Sequence, residues 1–509
     1  MTITVRGTTD GRCASMSTNS IRVSIAEQDL IGTYYYWKST VSPNGVGGQI
    51  WRKTFGDLNT REQDVTSSVI AGATCNGCHA LSRDGSRMVV YSDDNDSDDE
   101  YSDVGGSLLD MTTAPATELA SGVTGPRQGG QPPGLFDAFG PLASHYVSSN
   151  GLPLTDAGAA AVSTSAGYPS VVPANGFSLW NGQSGSFLKG VPIGAPGTRP
   201  TMPDWSSDGT SLVYVLPSAV ATWAPSLAGL QPGPRTDDDH IFGGSLYTVP
   251  YATGGLFGTP SLLLQSGGEN NYYPSYSPDM SASLVIFNRA PLDTSVGALT
   301  GCSGTAPRVT CPNDSFSNPA ARLMVMSTSA SAPPIDLERA NGSALAAPVP
   351  LSNSYPRWAP FVQSFKGQTL LWVTFSSTRD YGLRVLNHKA GMYQCYPPDS
   401  YELPGASHGQ TFAAQCQQPQ LWMAAVNLSE AQANGDPSRA AFWVPYQDIA
   451  AHNHTAQWTQ QPPPRSPPSG GCTCSMPYGP CGATNACGCC AGQSLVCSGN
   501  MQCITPLAN

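Results

Sequence analysis

Charge is scarce in this chain. Asp, Glu, Lys and Arg together make up 12% of its 509 residues, and the formal net charge is −11. No basic stripe is visible, which argues against nucleic acid as a partner. Long apolar runs are missing too: none approaches the ~18 residues that a membrane-spanning helix needs. The opening Met1-Thr2-Ile3-Thr4-Val5-Arg6-Gly7 holds no apolar core of a secretory leader. Helical signals are few, and the clearest is short, around Leu428 to Ala433. There is no His-Glu-x-x-His pair and no phosphate-cradling loop, so catalysis is the weakest functional reading.

Gly and Pro are abundant, at 54 and 45 residues, and such a chain favours strands and turns. Its length suits a large ring-like domain or two to three domains. Cysteine is also plentiful, with 15 residues. Most lie in the segment 472–503, a density that points to an oxidising compartment: periplasmic, outer-surface or secreted. That compartment conflicts with the missing leader, so the expectation is that the true start lies upstream or that a leader has been removed.

The strongest internal signal is a repeat. Ser82-Arg83-Asp84-Gly85, followed by the alternating Arg87-Met88-Val89-Val90-Tyr91, recurs as Trp205-Ser206-Ser207-Asp208-Gly209 leading to Leu212–Val215. Tyr276-Ser277-Pro278-Asp279 leads to Leu284–Phe287, and Trp358-Ala359-Pro360 leads to Leu370–Phe375. The starts fall roughly 60–80 residues apart once a missing copy near Ala143–Ser149 is allowed for. In such a unit the aromatic packs between neighbouring sheets, Asp-Gly makes the tight turn, and the next strand is half buried. Partner strands are expected at Gly176–Trp180, Gly244–Val249, Arg322–Met326 and Gln420–Val426. Tyr34–Trp37 and Gln49–Phe55 are spaced to pair as a hairpin, and a last blade is expected from 420–446 with an early strand closing the ring. A β-sandwich with similar turns is the plain alternative.

This pattern resembles the TolB-like β-propellers of bacteria. The resemblance covers roughly residues 30–460 and implies an all-β fold: a six-bladed β-propeller with a short N-terminal β segment and a small disulfide-rich C-terminal module. The expected domains are 1–30, the end of a β-sandwich-like segment; 31–458, the propeller; 459–471, a Pro-rich linker; and 472–509, the Cys-rich module. The spacing of the eight cysteines in 472–503 resembles a knottin, and its connectivity stays open among 105 pairings.

Just before the first repeat stands Cys75-Asn76-Gly77-Cys78-His79, the attachment signature of c-type haem. Two thiols about a turn apart can each add to a porphyrin vinyl group, and the adjacent imidazole lies under the iron. A structural disulfide, half of a zinc site and a redox Cys pair are the alternatives. The haem reading makes Cys75, Cys78 and His79 the binding residues, with covalent haem c as cofactor. His452 and His454, in Ala451-His452-Asn453-His454, are then the candidate distal ligands, because ring closure brings the chain ends together, and the likeness of Asn453-His454 with its following Trp458 to the end segment of the resembling propellers favours His454. His145, His240, His388 and His408 read as surface or loop residues, and Met88 as core.

The run Asp93–Glu100 offers alternating carboxylates, and Asp94, Asp96 and Asp98 are candidate calcium ligands. A solvated acidic loop is the alternative, since the EF-hand pattern fails. A second acidic run is Asp237-Asp238-Asp239. Cys302 with Cys311, and Cys395 with Cys416, are expected to close insertion loops as disulfides. Two functions follow. One is a monohaem electron-transfer protein on a propeller scaffold, meeting a redox partner, with haem peroxidase chemistry left open. The other is a binding or scaffold protein of the cell envelope with a purely structural Cys75–Cys78 pair.

Overall fold

The computed structural model describes most of residues 30–93, 105–121, 137–149, 175–223, 235–292, 315–342, 353–379 and 419–459, and short strands within 2–22 and 496–504. Two units are distinguished, Met1–Ile31 and Gly32–Asn509. In the first, Thr2–Thr8 pairs antiparallel with Met16–Arg22. Val496–Cys497 pairs with Cys503–Ile504 near the C-terminus.

The second unit is a six-bladed β-propeller, its blades antiparallel sheets, and in blades 1 to 5 the inner strand comes first in chain order. Blade 1 is Cys75–Leu81, Arg87–Asp93, Gly105–Asp110 and Thr117–Ser121. Blade 2 is Asp137–Phe139, His145–Ser149, Gly176–Asn181 and Phe187–Pro192. Blade 3 is Thr201–Trp205, Ser211–Leu216, Ser245–Ala252 and Ser261–Leu264, with Leu256–Phe257 added at its outer edge. A separate hairpin, Ala219–Trp223 with Arg235–Phe242, is inserted in it. Blade 4 is Glu269–Tyr276, Leu284–Pro291, Arg322–Ser327 and Ile335–Asp336. Blade 5 is Ser354–Phe365, Gln368–Ser377, Gln420–Asn427 and Phe442–Trp443.

Blade 6 joins the two ends of the ring. Its inner strand, His452–Thr459, pairs with Thr33–Ser42, which continues into Gly45–Thr54 and Gln63–Asp64. The expected hairpin of Tyr34–Trp37 and Gln49–Phe55 is therefore present. The last blade is not built from 420–446, however. Those residues pair with Gln368–Ser377 and complete blade 5, because Leu371, Val373 and Phe375 need a partner strand as apolar as Gln420–Asn427. The single clear helix signal is met by Leu428–Gln432, capped by the Asn427 side chain accepting from the Ser429 and Glu430 amides.

The cores lie between blades. On Leu284–Pro291, Val285 and Phe287 pack toward blade 3, while Leu284 and Ile286 pack toward blade 5. Val213 and Val215 share the first of these clusters, and Leu212 and Tyr214 turn to blade 2. A period-two apolar strand thus buries both faces, which explains why its polar positions are so few. Met88 is fully buried in the cluster between blades 6 and 1, as a core residue should be.

The Ser-x-Asp-Gly turn is the same device each time. Ser82 Oγ donates to Asp84 Oδ1 at 2.6 Å, the Ser86 amide donates to that oxygen at 3.0 Å, and the Arg87 amide donates to Ser82 Oγ at 2.9 Å. Ser206, Asp208, Thr210 and Ser211 repeat the arrangement. Gly85 and Gly209 take φ of +72° and +73°, the left-handed conformation that glycine tolerates. The aromatic before the turn ties blades together. Trp205 Nε1 donates to the Ala138 carbonyl of blade 2, and Trp358 Nε1 to the Ser275 carbonyl of blade 4.

Candidate functional site

Every inner strand except that of blade 2 carries a register shift at the same place. It falls between Gly77 and Ala80, Thr201 and Asp204, Tyr272 and Ser275, Ser354 and Arg357, and His454 and Gln457. In four of these bulges a non-glycine residue is left-handed: Met202, Tyr273, Tyr355 and Thr455, with φ of 50–53°. Such conformations cost about 1–3 kcal/mol each and persist only where the surroundings enforce them. The bulge re-aims the strand. Two residues on, Ala80, Asp204, Ser275, Arg357 and Gln457 line one cavity of about 60 Å³, together with Ala138 of blade 2. All six blades meet there, at the end of the inner strands.

The polar groups of this cavity are unevenly matched. Asp204 Oδ2 accepts from the Tyr276 amide at 2.7 Å. Arg83, from the first Ser-x-Asp-Gly turn, reaches across with Nη2 donating to the Trp205 carbonyl at 2.6 Å and to the Tyr276 carbonyl at 3.5 Å. Arg357 Nη1 donates to the Pro274 carbonyl at 3.2 Å. Both guanidiniums stand near the one carboxylate, at 3.6 and 3.8 Å from Asp204, outside hydrogen-bond distance. Burial lowers the Arg357 pKa; Asp204 counteracts this and Arg83 adds to it. Gln457 spans blades 6 and 1, its Nε2 donating to the His79 carbonyl and its Oε1 accepting from the Leu81 amide, both at 2.7 Å.

One level back along the strands lies an aromatic tier. Tyr273 stacks on Tyr355 at 4.3 Å between ring centroids, and Tyr355 meets His454 edge-on at 5.9 Å. His454 also packs on Trp37 at 5.9 Å and lies 6.0 Å from His452. Gly77 closes against the Trp37 indole, where an added Cβ would meet it at 3.1 Å. Burial holds His79 and His454 at pKa values of about 3. Among the described residues neither ring nitrogen of His79 reaches a partner at hydrogen-bond geometry, although the Tyr35 backbone offsets the burial slightly.

The pentad is therefore a bulged inner strand. Its Cys78-His79 occupies the place of Met202-Pro203, Tyr273-Pro274, Tyr355-Pro356 and Thr455-Ala456 in the other blades. Three residues along a strand span ~10 Å, about twice the advance along a helical turn. The cavity nearby is far below the ~300 Å³ at which small-molecule pockets begin. His454 sits on the ring-closing strand as expected, but its ring neighbours are Trp37, Tyr355 and His452. His145 is half-buried on a strand of blade 2, against Trp205 and Tyr251, rather than in a loop. His240 lies on the inserted hairpin.

Asp94, Asp96, Asp98, Cys302, Cys311, Cys395, Cys416, His388 and His408 lie outside the described residues, as does most of the Cys-rich module. Among the described residues no group of three His, Cys, Asp or Glu side chains is placed to hold a metal ion. No described helix is long and apolar enough to cross a membrane. Sequence reading assigned no role to Arg83, Asp204, Arg357 or Gln457. The available signal was positional: three of them precede the repeat's aromatic, and Arg83 fills the variable place of Ser-x-Asp-Gly.

No protein-family model matches the chain, and no curated protein matches it. Among solved structures, TolB from Acinetobacter baumannii is 10% identical with a TM-score of 0.36, over 67% of this chain and 60% of that one. A putative TolB from Agrobacterium tumefaciens is 12% identical with a TM-score of 0.33, over 60% and 88%. Oligogalacturonate lyase from Vibrio parahaemolyticus is 13% identical with a TM-score of 0.32, over 66% and 76%. The chain thus spans less than two thirds of the Acinetobacter protein, and at these identities the likeness is one of fold.

Proposed function

We propose that this chain is a TolB-like propeller binding protein of the cell envelope, which recognises a partner at the channel end where the inner strands turn. The observation that carries this reading is the shared bulge. In most of the blades it directs one side chain into a common cavity, and it does so at the cost of left-handed backbone in four of them. A fold that needed only close packing would fill that space with apolar residues. The cysteine density supports an oxidising compartment, and with it an envelope partner.

The test is a photo-crosslinking residue placed at Pro360, which lines the cavity and is half-buried, with Leu262 as control. Leu262 is 51% exposed on the outermost strand of blade 3. Irradiation of whole cells should give one adduct of discrete mass from position 360 and none from 262. Equal labelling, or no adduct from 360, overturns the reading.

The cytochrome reading is the competitor. It is favoured by the His79 nitrogens, which have no hydrogen-bond partner among the described residues, at a place where other blades have Pro or Ala. Expression in a host with a haem-attachment system, followed by a spectrum after denaturation, separates the two. A colourless protein fits the binding reading, with Cys75 and Cys78 as structural residues. A retained Soret band would make the chain a haem protein, with a pentad that must leave the strand to take its cofactor.

A further inference from the structure

We infer that the channel end binds a carboxylate, held between Arg83 and Arg357; the inference rests on the binding reading above and names its ligand class. Three observations converge. First, charge is unbalanced: two guanidiniums face one carboxylate, and Arg83, Arg357 and Asp204 are the charged side chains lining the cavity. Second, Asp204 is already engaged, because its Oδ2 takes the Tyr276 amide at 2.7 Å and so holds the bulged strand of blade 4. Its distances of 3.6 and 3.8 Å to the arginines leave both without a bonded carboxylate.

Third, each arginine is anchored by one nitrogen only. Arg83 uses Nη2 on the carbonyls of Trp205 and Tyr276, and Arg357 uses Nη1 on that of Pro274. Among the described residues the other guanidinium nitrogens have no hydrogen-bond partner, although the arginine side chains are only 19% and 15% exposed. A guanidinium fixed at one end, with its remaining donors turned to a polar cavity, is set for the two oxygens of a planar anion. The anchors are backbone carbonyls of blades 3 and 4, so the arginines need little reorganisation on binding. Burial and the neighbouring Arg83 both lower the Arg357 pKa, a cost that a bound anion would relieve.

Size selects among anions. A cavity of about 60 Å³ has room for about two water molecules and so for a carboxylate group, but not for a nucleotide or a sugar acid in full. Ser275 and Gln457 line the same cavity. The larger part of any ligand must lie outside, so a carboxylate can come from a free small acid or from the end of a chain.

The experiment uses the full chain and two probes, sodium acetate and triglycine, with C-terminally amidated triglycine as control. Binding is read by calorimetry at low ionic strength. Wild-type protein should bind acetate with one-to-one stoichiometry, and binding should weaken as salt is raised. Arg357→Met and Arg83→Met should each weaken it at least tenfold. Arg83→Lys, which keeps the charge but loses the fork, should weaken it less than Arg83→Met does. Arg339→Met, at a 56% exposed arginine, should leave it unchanged. Triglycine binding with no response to the amide assigns a chain end; acetate binding alone assigns a free small acid.

Undiminished binding by Arg357→Met and Arg83→Met, or chloride competing as well as acetate, overturns the inference and leaves an adventitious ion only. No acetate or triglycine binding also overturns it. If the adduct at position 360 still forms in that case, the ligand class falls and the binding reading stands. If the adduct fails as well, both fall.

Discussion

Gly85 shows how much one residue of the repeat carries. Its φ of +72° disfavours any side chain, and an added Cβ would lie 2.1 Å from Thr459 Oγ1, on the strand that closes the ring. Gly367 has φ of +77° with nothing within 4 Å of the same virtual atom. The pair separates backbone cost from steric cost. Gly367→Ala should destabilise by about 1–2 kcal/mol, the left-handed penalty alone. Gly85→Ala should lose clearly more, since Thr459 must move. Urea midpoints of the two variants measure the difference, and equal losses would show that the Thr459 contact is slack. The sequence places glycine at this turn through Asp84-Gly85, but it does not say that the turn abuts residue 459, a contact between neighbouring blades built from opposite ends of the chain.

Asp279 is a second residue whose role can be read in its surroundings. Burial raises its pKa, but hydrogen bonds from Ser277, Ser281 and Ser283 outweigh that and leave it lowered. A lowered carboxyl stabilises the fold above the unfolded value of about 3.9 and loses that contribution as pH falls through the folded value. Asp279→Asn keeps an acceptor without the charge. It should destabilise at pH 7 by about 1–3 kcal/mol, the worth of a charged hydrogen-bond network, and the gap from wild type should narrow as pH falls below the unfolded value of about 3.9. A gap that stays constant with pH would remove the charge from the account.

At the scale of the element, the bulged inner strand is the unit that matters. Its existence is hard to see in sequence, because Met202, Tyr273, Tyr355 and Thr455 span three residue types and none is glycine. The alternating strands that follow were legible, since two-sided burial leaves an apolar pattern of period two, as in Leu284–Phe287. The third strand of blade 1, Gly105–Asp110, was not, because an acidic run separates it from its repeat. Cys75–His79 was legible as a motif but its backbone was not: the same five residues that suit a helical turn are placed here in a strand by their register with Tyr91, Ser92 and Asp93. Thr455 tests the strain directly. It is β-branched with φ of 53°, where such residues are true outliers. Thr455→Gly should relieve about 1–2 kcal/mol of strain, more than the extra ~0.5–1 kcal/mol of unfolded-chain entropy that glycine adds. The variant should therefore be as stable as wild type or more so in urea; a loss above 1 kcal/mol would show that the conformation is unstrained.

For the whole molecule, the ring has one seam, where the inner strand His452–Thr459 meets Thr33–Ser42. The seam gathers three histidines whose ordinary pKa is lowered by burial: His79 and His454 to about 3, and His452 to about 4. The sign follows from where protons bind. Between about pH 6.5 and 4 the unfolded chain protonates these residues and the folded chain does not, so stability rises with pH in that window and is lost as pH falls. Each histidine contributes a slope of at most about 1.4 kcal/mol per pH unit. No other blade junction concentrates such groups among the described residues, so the seam should loosen first. Hydrogen exchange followed from pH 7 to 4.5, corrected for the intrinsic pH dependence of exchange, should show the amides of 452–459 and 33–42 losing protection ahead of those in 284–291 and 322–327. His79→Phe together with His454→Phe removes two of the three titrating groups from the buried seam, and if the variant folds, the pH dependence of its urea midpoint should flatten accordingly. Loss of protection spread evenly over all six blades would instead make the ring a single cooperative unit with no weak joint.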